Sequence, residues 1–187
     1  MERAPDTVDF LGPLLQALAE SLDVREIFSR ISAEARRILP HEYLLLGLLS
    51  RDGATIQPIA LSGDVSGAGG EISLPGELKL AVERGAYLMR DVREDEERDR
   101  ISGRICFDGS TEFETVEYDT QPLFRHLARR GVRSYLRVPV YLRGSVVGGL
   151  VFCSTKAEGY RVDDFVDAHR IASFISLAVA HQRGNEE

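Results

Sequence analysis

Apolar residues along this chain alternate between helical and strand spacing, and each change of period marks a new element. Leu11, Leu14, Leu15, Leu18 and Leu22 recur at three- and four-residue intervals, which predicts an amphipathic helix over Val8 to Ser21. A second helix starts at Asp23, whose carboxylate suits the free backbone donors of a first turn. Glu26 stands where the returning arm of a capping box would stand. Val24, Ile27, Phe28, Ile31, Ala35 and Ile38 make its buried face, and Pro40 closes it.

Beyond His41 the period shortens. Tyr43 to Leu49 is a compact apolar run, Arg51-Asp52-Gly53-Ala54 carries turn chemistry, and Thr55 to Ser62 reads as the returning strand of a hairpin. The Gly-rich stretch from Ser62 to Gly70 predicts a connection. A short extended piece follows, then a helix near Glu77 to Arg84 that Gly85 terminates, then a strand over Ala86 to Val92. Arg93 to Arg100 holds five acids and three arginines with no apolar period, so it has no face to bury and is expected as a solvated loop. Ile105 to Tyr118 alternates apolar with polar residues, a pattern open to short strands or to a folded-over lid.

A helix is predicted over Gln121 to Arg130, stopped by Gly131. Arg133 to Leu142, the turn Arg143-Gly144 and Ser145 to Ser154 then form the clearest hairpin in the chain, expected inside the sheet. On its first strand Leu136, Val138 and Val140 share one face, and Tyr135, Arg137 and Tyr141 share the other. The last helix, about Val162 to Arg183, carries Phe165, Ala168, Ala172, Ile175 and Val179 on one stripe, widened by Ile171, Phe174, Leu177 and Ala178. So broad an apolar arc needs two packing surfaces, expected here to be the sheet and a symmetry-related helix. Ile171, Phe174, Leu177 and Ala178 are thereby the expected interface of a homodimer.

Composition narrows the class. The chain has 187 residues, 43% of them hydrophobic and 28% charged, which suits one globular domain with a full core. No apolar run approaches the roughly 18 residues that a membrane span needs. The opening MERAPDTVDF lacks the basic and apolar regions of a signal peptide, so a cytoplasmic location is expected, with no membrane partner. A formal charge of −7 opposes nonspecific attraction to nucleic acid. Cys106 and Cys153 form no CxxC pair and no zinc-type spacing, in keeping with a reducing compartment.

The order helix, hairpin, helix, strand, variable loop, helix, hairpin, long helix resembles the GAF domain over nearly the whole chain. Three stretches carry the likeness: ERGAYLMRDV, similar to that family's helix end, glycine and strand ending in Asp; GVRSYLRVPVYLRGSVVGGLVF, similar to its central hairpin; and YRVDDFVDAHRIASFISLAVAHQR, similar to its closing helix. The last is most similar to the sensory GAF domains that precede the AAA+ ATPase of bacterial transcription activators working with the alternative sigma factor. The chain holds no GxxxxGK[ST] phosphate loop, so an output domain, attached or separate, lies outside it, and the chain reads as a fragment.

The resemblance implies an α+β fold, an α/β/α sandwich. In it a central antiparallel sheet carries the terminal helices on one face and short helices and loops on the other. Residues 1–187 form a single domain: N-terminal helices over 1–40, the sheet with a variable pocket-side insert over 41–160, and the C-terminal helix over 161–187. The implied function is sensing of a small molecule and transmission of its occupancy through a terminal-helix dimer. The alternative is a ligand-free dimerisation or protein-interaction module. No enzyme is implied, because no paired nucleophile and base, metal cluster or phosphate loop can be assembled from the residues.

If the pocket lies on the variable side, several residues are candidates to line it. His126 is a candidate haem ligand or hydrogen-bond donor, against the blander reading of a solvated helix histidine. Arg137, with Tyr135 beside it on the same strand face, could hold an anionic ligand through its planar fork. The alternative is an arginine satisfied by a nearby carboxylate. Phe107, Phe113 and Tyr118 could close the pocket as a lid, or simply anchor a long loop. Arg125, Arg129, Arg130 and Arg133 cluster as a solvated basic face. Asp91, Glu94, Asp95 and Glu96 lack the ordered spacing of a calcium loop.

Three known variants of the family fit poorly. Cyclic-nucleotide-binding members carry an Asn-Lys pair, then Phe and an Asp-Glu pair. Here Lys156, Tyr160 and Asp164 stand near those places, but Thr155 replaces Asn and Phe165 replaces Glu. Bilin-binding members use a cysteine usually followed by histidine, whereas Cys106 precedes Phe107 and Cys153 precedes Ser154. The free methionine sulfoxide reductases need an attacking and a resolving thiol, and here only Cys106 lies in the variable half. The cofactor, if there is one, stays unassigned.

Overall fold

A computed structural model of the chain describes residues 12, 23–63, 70–74, 82, 85–92, 100–107, 112–119 and 122–184. For 100, 101–107, 116–119, 122–124 and 181–184 it describes the backbone alone. The helix expected over Val8 to Ser21 and the body of that expected over Glu77 to Arg84 lie outside these residues.

Helix α1 (Val24–Ile38) forms where the apolar stripe predicts it. The Asp23 carboxylate accepts the Arg25 backbone N–H at 2.9 Å, and Val24, Ile27, Phe28, Ile31 and Ala35 are buried. Strands β1 (Tyr43–Leu49) and β2 (Thr55–Ser62) make the first hairpin, followed by the two-residue β3 (Ile72–Ser73) and by β4 (Gly85–Met89). Then come β5 (Arg100–Phe107), β6 (Glu114–Asp119), α2 (Pro122–Arg129), β7 (Ser134–Leu142), β8 (Ser145–Ser154) and α3 (Asp164–Gly184). The strands form one eight-stranded sheet in the order β3-β2-β1-β8-β7-β4-β5-β6, with every neighbouring pair antiparallel.

The β7–β8 hairpin sits inside the sheet, between β1 and β4, as its long apolar strands predict. Its turn residues Arg143 and Gly144 both have positive φ, 51° and 82°, which gives the backbone twist that a two-residue hairpin requires. The pairing register shifts between Leu46 and Gly47 on β1 and between Val140 and Tyr141 on β7. Gly47 stands opposite Gly149 at this line, and a Cβ at the adjoining Gly148 would overlap the Gly47 carbonyl oxygen. Bulges raise local twist, so the sheet bends where glycine lets two central strands close up.

Alternation along the strands divides the core in two. Leu44, Leu46, Ala86, Leu88, Leu136, Val138, Val140, Leu150 and Phe152 face α1 and α3. Leu45, Tyr87, Met89, Tyr135, Val151 and Cys153 face the other way, beneath Leu127 of α2 and Val132. The α+β sandwich with terminal helices on one face is therefore the fold found.

Several details differ from the expectations. Gly85 opens β4 opposite Phe107, so it continues the ladder where a helix-ending glycine was the reading from its neighbours. The ambiguous stretch up to Tyr118 is a strand pair, and Arg100 already belongs to it. Ile171, Phe174 and Ala178, assigned above to a dimer interface, are buried in the core of their own chain. The second surface that the broad arc of α3 needs is α1, with β7 as the first. Of the four, only Leu177 is exposed, at 59%. Phe113, assigned above to the pocket lid, stacks on Phe165 of α3 at 5.6 Å, on the face opposite the variable layer. Among the described residues no helix is long and apolar enough to cross a membrane.

Candidate functional site

The floor of the variable face is aromatic. Tyr87 on β4 and Tyr135 on β7 come together because these strands pair with Met89 opposite Tyr135, and their rings stack at 5.8 Å with 29° between planes. Both side chains are fully buried. Val151 and Cys153 of β8 and Leu45 of β1 extend the floor across the sheet. Burial pushes the Cys153 thiol far above its ordinary pKa, so it is an apolar floor residue with no thiolate character.

Arg137 lies next to this pair, opposite Tyr87, and is only 7% exposed. Its fork donates to the backbone carbonyls of Val82, at 2.9 Å, and Gly85, at 3.4 Å. The guanidinium passes over Gly149 of β8, where a Cβ would stand 2.7 Å from its Nε. Arg137 thus fastens the segment leading into β4 onto the central hairpin. Among the described residues its donors are engaged by backbone carbonyls of its own chain.

His126 belongs to the helix that covers this layer. It lies on α2, whose next residue, Leu127, packs into the same cluster as Tyr87 and Tyr135. Its Nε2 is buried and has no hydrogen-bond partner among the described residues. The helix ends in a defined closure. At its end Val132 donates to the Leu127 carbonyl and Gly131, at φ 91°, donates to that of Ala128, a Schellman closure.

The remaining candidates separate. Arg125, Arg129 and Arg130 are exposed, while Arg133 pairs with the carboxylate of Asp91. Glu94, Asp95 and Glu96 lie outside the described residues, as do the side chains of Phe107 and Tyr118. The backbones of those two pair with Gly85 and Ile101. Among the described residues no group of three or more His, Cys, Asp or Glu is placed to hold a metal ion. A separate open cavity of about 570 Å³ lies between the hairpin ends, lined by 49–53 and 145–147.

Tyr87 escapes the sequence reading. Its alternation with Ala86 and Leu88 places it on the Tyr135 side, but only the nonlocal pairing of β4 with β7 makes the two rings neighbours.

A family profile described as GAF domain matches residues 23–179. The chain belongs to the GAF domain family. Solved structures superimpose along its length. The phycoerythrobilin-bound GAF domain of a cyanobacterial phytochrome is 17% identical, covering 98% of both chains with a TM-score of 0.72. The free methionine-R-sulfoxide reductase of Neisseria meningitidis, solved with its substrate, is 14% identical, covering 99% of this chain and 96% of its own at 0.62. A domain of a two-component sensor histidine kinase protein from Sinorhizobium meliloti is 13% identical, covering 89% and 97% at 0.59. At such identities the likeness establishes the fold. No curated protein matches the chain significantly. In this GAF domain the aromatic floor lies on the face turned away from the terminal helices, and Leu127 of the helix that carries His126 packs onto it.

Proposed function

We propose that this GAF domain is a sensory signalling module that binds a small molecule on its variable face. Its occupancy biases the packing of the terminal helices and so controls an output domain, attached or separate. The observation that carries this is the buried Nε2 of His126, without a partner among the described residues, on the helix that packs through Leu127 onto the cluster of Tyr87 and Tyr135. A buried polar atom without a partner costs about 1–3 kcal/mol, a cost a bound ligand would remove. Apolar walls with one fixed polar group are what a small-molecule site needs. Tyr135 contributes floor, Arg137 holds the wall in place, and Phe107 and Tyr118 stay proposed as rim residues.

Family membership and likeness to sensor domains support a sensing role, and the sequence of α3 favours an output in transcription control. Transmission would run through α3, whose outward side carries Val166, 56% exposed, and Leu177. That exposed pair favours contact with a second copy, and it also supports the alternative of a ligand-free dimerisation or interaction module. Ligand must prefer one helix arrangement over the other, since equal affinity for both shifts nothing.

Native mass spectrometry of protein purified from cells, with an absorption spectrum of the same sample, tests this. A dimer carrying extra noncovalent mass is the expected result. A dimer without it turns the assignment to the interaction module, and a monomer removes the α3 contact.

A further inference from the structure

Helix α1 joins the sheet through Leu39, Pro40 and His41, and the ring of His41 is 4% exposed. Its Nδ1 lies 2.7 Å from the Leu39 carbonyl oxygen and its Nε2 lies 2.9 Å from the Ser32 hydroxyl. A carbonyl only accepts, so Nδ1 carries the proton, and the neutral ring accepts the Ser32 O–H at Nε2. The same ring meets Phe152 of β8 edge to face, with centroids 5.5 Å apart. One imidazole therefore ties the middle of α1, its end and a central strand.

Among the described residues the polar groups around it are these. From α1, Arg36 donates its Nε to the His41 carbonyl at 2.9 Å. Glu42, next in the chain, accepts the Thr155 backbone N–H at 2.9 Å, and its own N–H donates to the Cys153 carbonyl. From the loop after β8, the Tyr160 hydroxyl donates to the Pro40 carbonyl at 3.1 Å. Burial disfavours the imidazolium most, Arg36 adds to that, and the Leu39 carbonyl and Glu42 oppose it. The net result is a pKa below the ordinary 6.5.

We propose that His41 is a proton-sensitive latch, whose neutral ring pins α1 to the sheet and whose protonation releases that helix while the sheet stays folded. A proton at Nε2 turns the acceptor of the Ser32 O–H into a donor and leaves a cation against Phe152. Opening the α1 end gives that cation water, and Pro40, which has no N–H to hold the chain in register, marks the place where it swings. The folded chain binds fewer protons at His41 than the opened one. The latch is thus fully closed above the ordinary imidazole value, and its opening constant rises as pH falls through the window below it, by up to about tenfold per pH unit. This holds whether or not the variable face takes a ligand.

Amide hydrogen exchange on the whole chain tests it, comparing residues 24–39 with 134–154 in the native protein and in His41→Gln. The carboxamide can donate to Leu39 and accept from Ser32 without titrating. From about pH 7.5 to about pH 5.5, α1 opening in the native protein relative to the variant is expected to rise, by up to about tenfold, with 134–154 unchanged. A ratio indifferent to pH, or both segments losing protection together, overturns the latch. An NMR titration of the native protein needs no variant. The His41 ring and the α1 amides are expected to share one midpoint below the ordinary value, and α1 amides that do not follow the ring overturn it.

Discussion

Under α1 and α3 the sheet presents Leu44, Leu46, Leu136, Val138, Leu150 and Phe152, whereas on the other face it presents Tyr87, Tyr135, Cys153 and Arg137. Each side also carries a histidine. On the helical side, both ring nitrogens of His41 are engaged, by Ser32 and Leu39. On the variable side, Nε2 of His126 is buried with no partner among the described residues. The first face is mostly aliphatic and its histidine is saturated, as a surface selected for packing would be. The second is aromatic, braced by a buried arginine and left with an open hydrogen bond, and so loses some stability where a site would be useful.

Truncating the helical face breaks the comparison most severely. Phe152 is fully buried between α1, α3 and the His41 ring, so Phe152→Ala is expected to cost about 3–5 kcal/mol in denaturant unfolding, with no change in the slope. A loss below about 1 kcal/mol would mean that this face is not the stabilising one.

The sequence makes the helical face easier to read, for a physical reason. The stripe of α1, the β1–β2 hairpin and the β7–β8 hairpin are local patterns, and each is found within a few residues of its expected bounds. The division of β7 into Leu136, Val138 and Val140 against Tyr135 follows from alternation alone. Partners distant in sequence are not written in any period. Phe113 looks like a lid residue until β5–β6 pairing and α3 put it on Phe165. Ile171, Phe174 and Ala178 look like interface until the fold buries them in the core of their own chain. Arg137 and His126 were legible as candidates, yet only the fold shows that one donates to backbone carbonyls and that the other keeps a buried nitrogen with no partner among the described residues.

Within the variable face, Arg137 separates bracing from binding. Arg137→Met keeps a long apolar stem over Gly149 but leaves the Val82 and Gly85 carbonyls without their donor. An expected loss of about 1–3 kcal/mol, with faster amide exchange at the start of β4, would mark a structural brace. Unchanged stability together with weaker retention of ligand would instead move Arg137 from the wall into the site.

The smallest expected change in stability is the most informative, because its sign differs. His126→Leu keeps an apolar side chain on α2 and removes a buried nitrogen that has no partner to lose among the described residues. Replacing an unsatisfied polar group by an apolar one is neutral or favourable, so unfolding free energy is expected to stay level or rise by up to about 1 kcal/mol. The noncovalent mass retained by the native protein should disappear at the same time. Greater stability bought with lost binding is the signature of a group kept for a ligand. If His126→Leu instead destabilises the chain by more than about 1 kcal/mol, the nitrogen is part of the fold's own hydrogen bonding, and the variable face would be as saturated as the helical one.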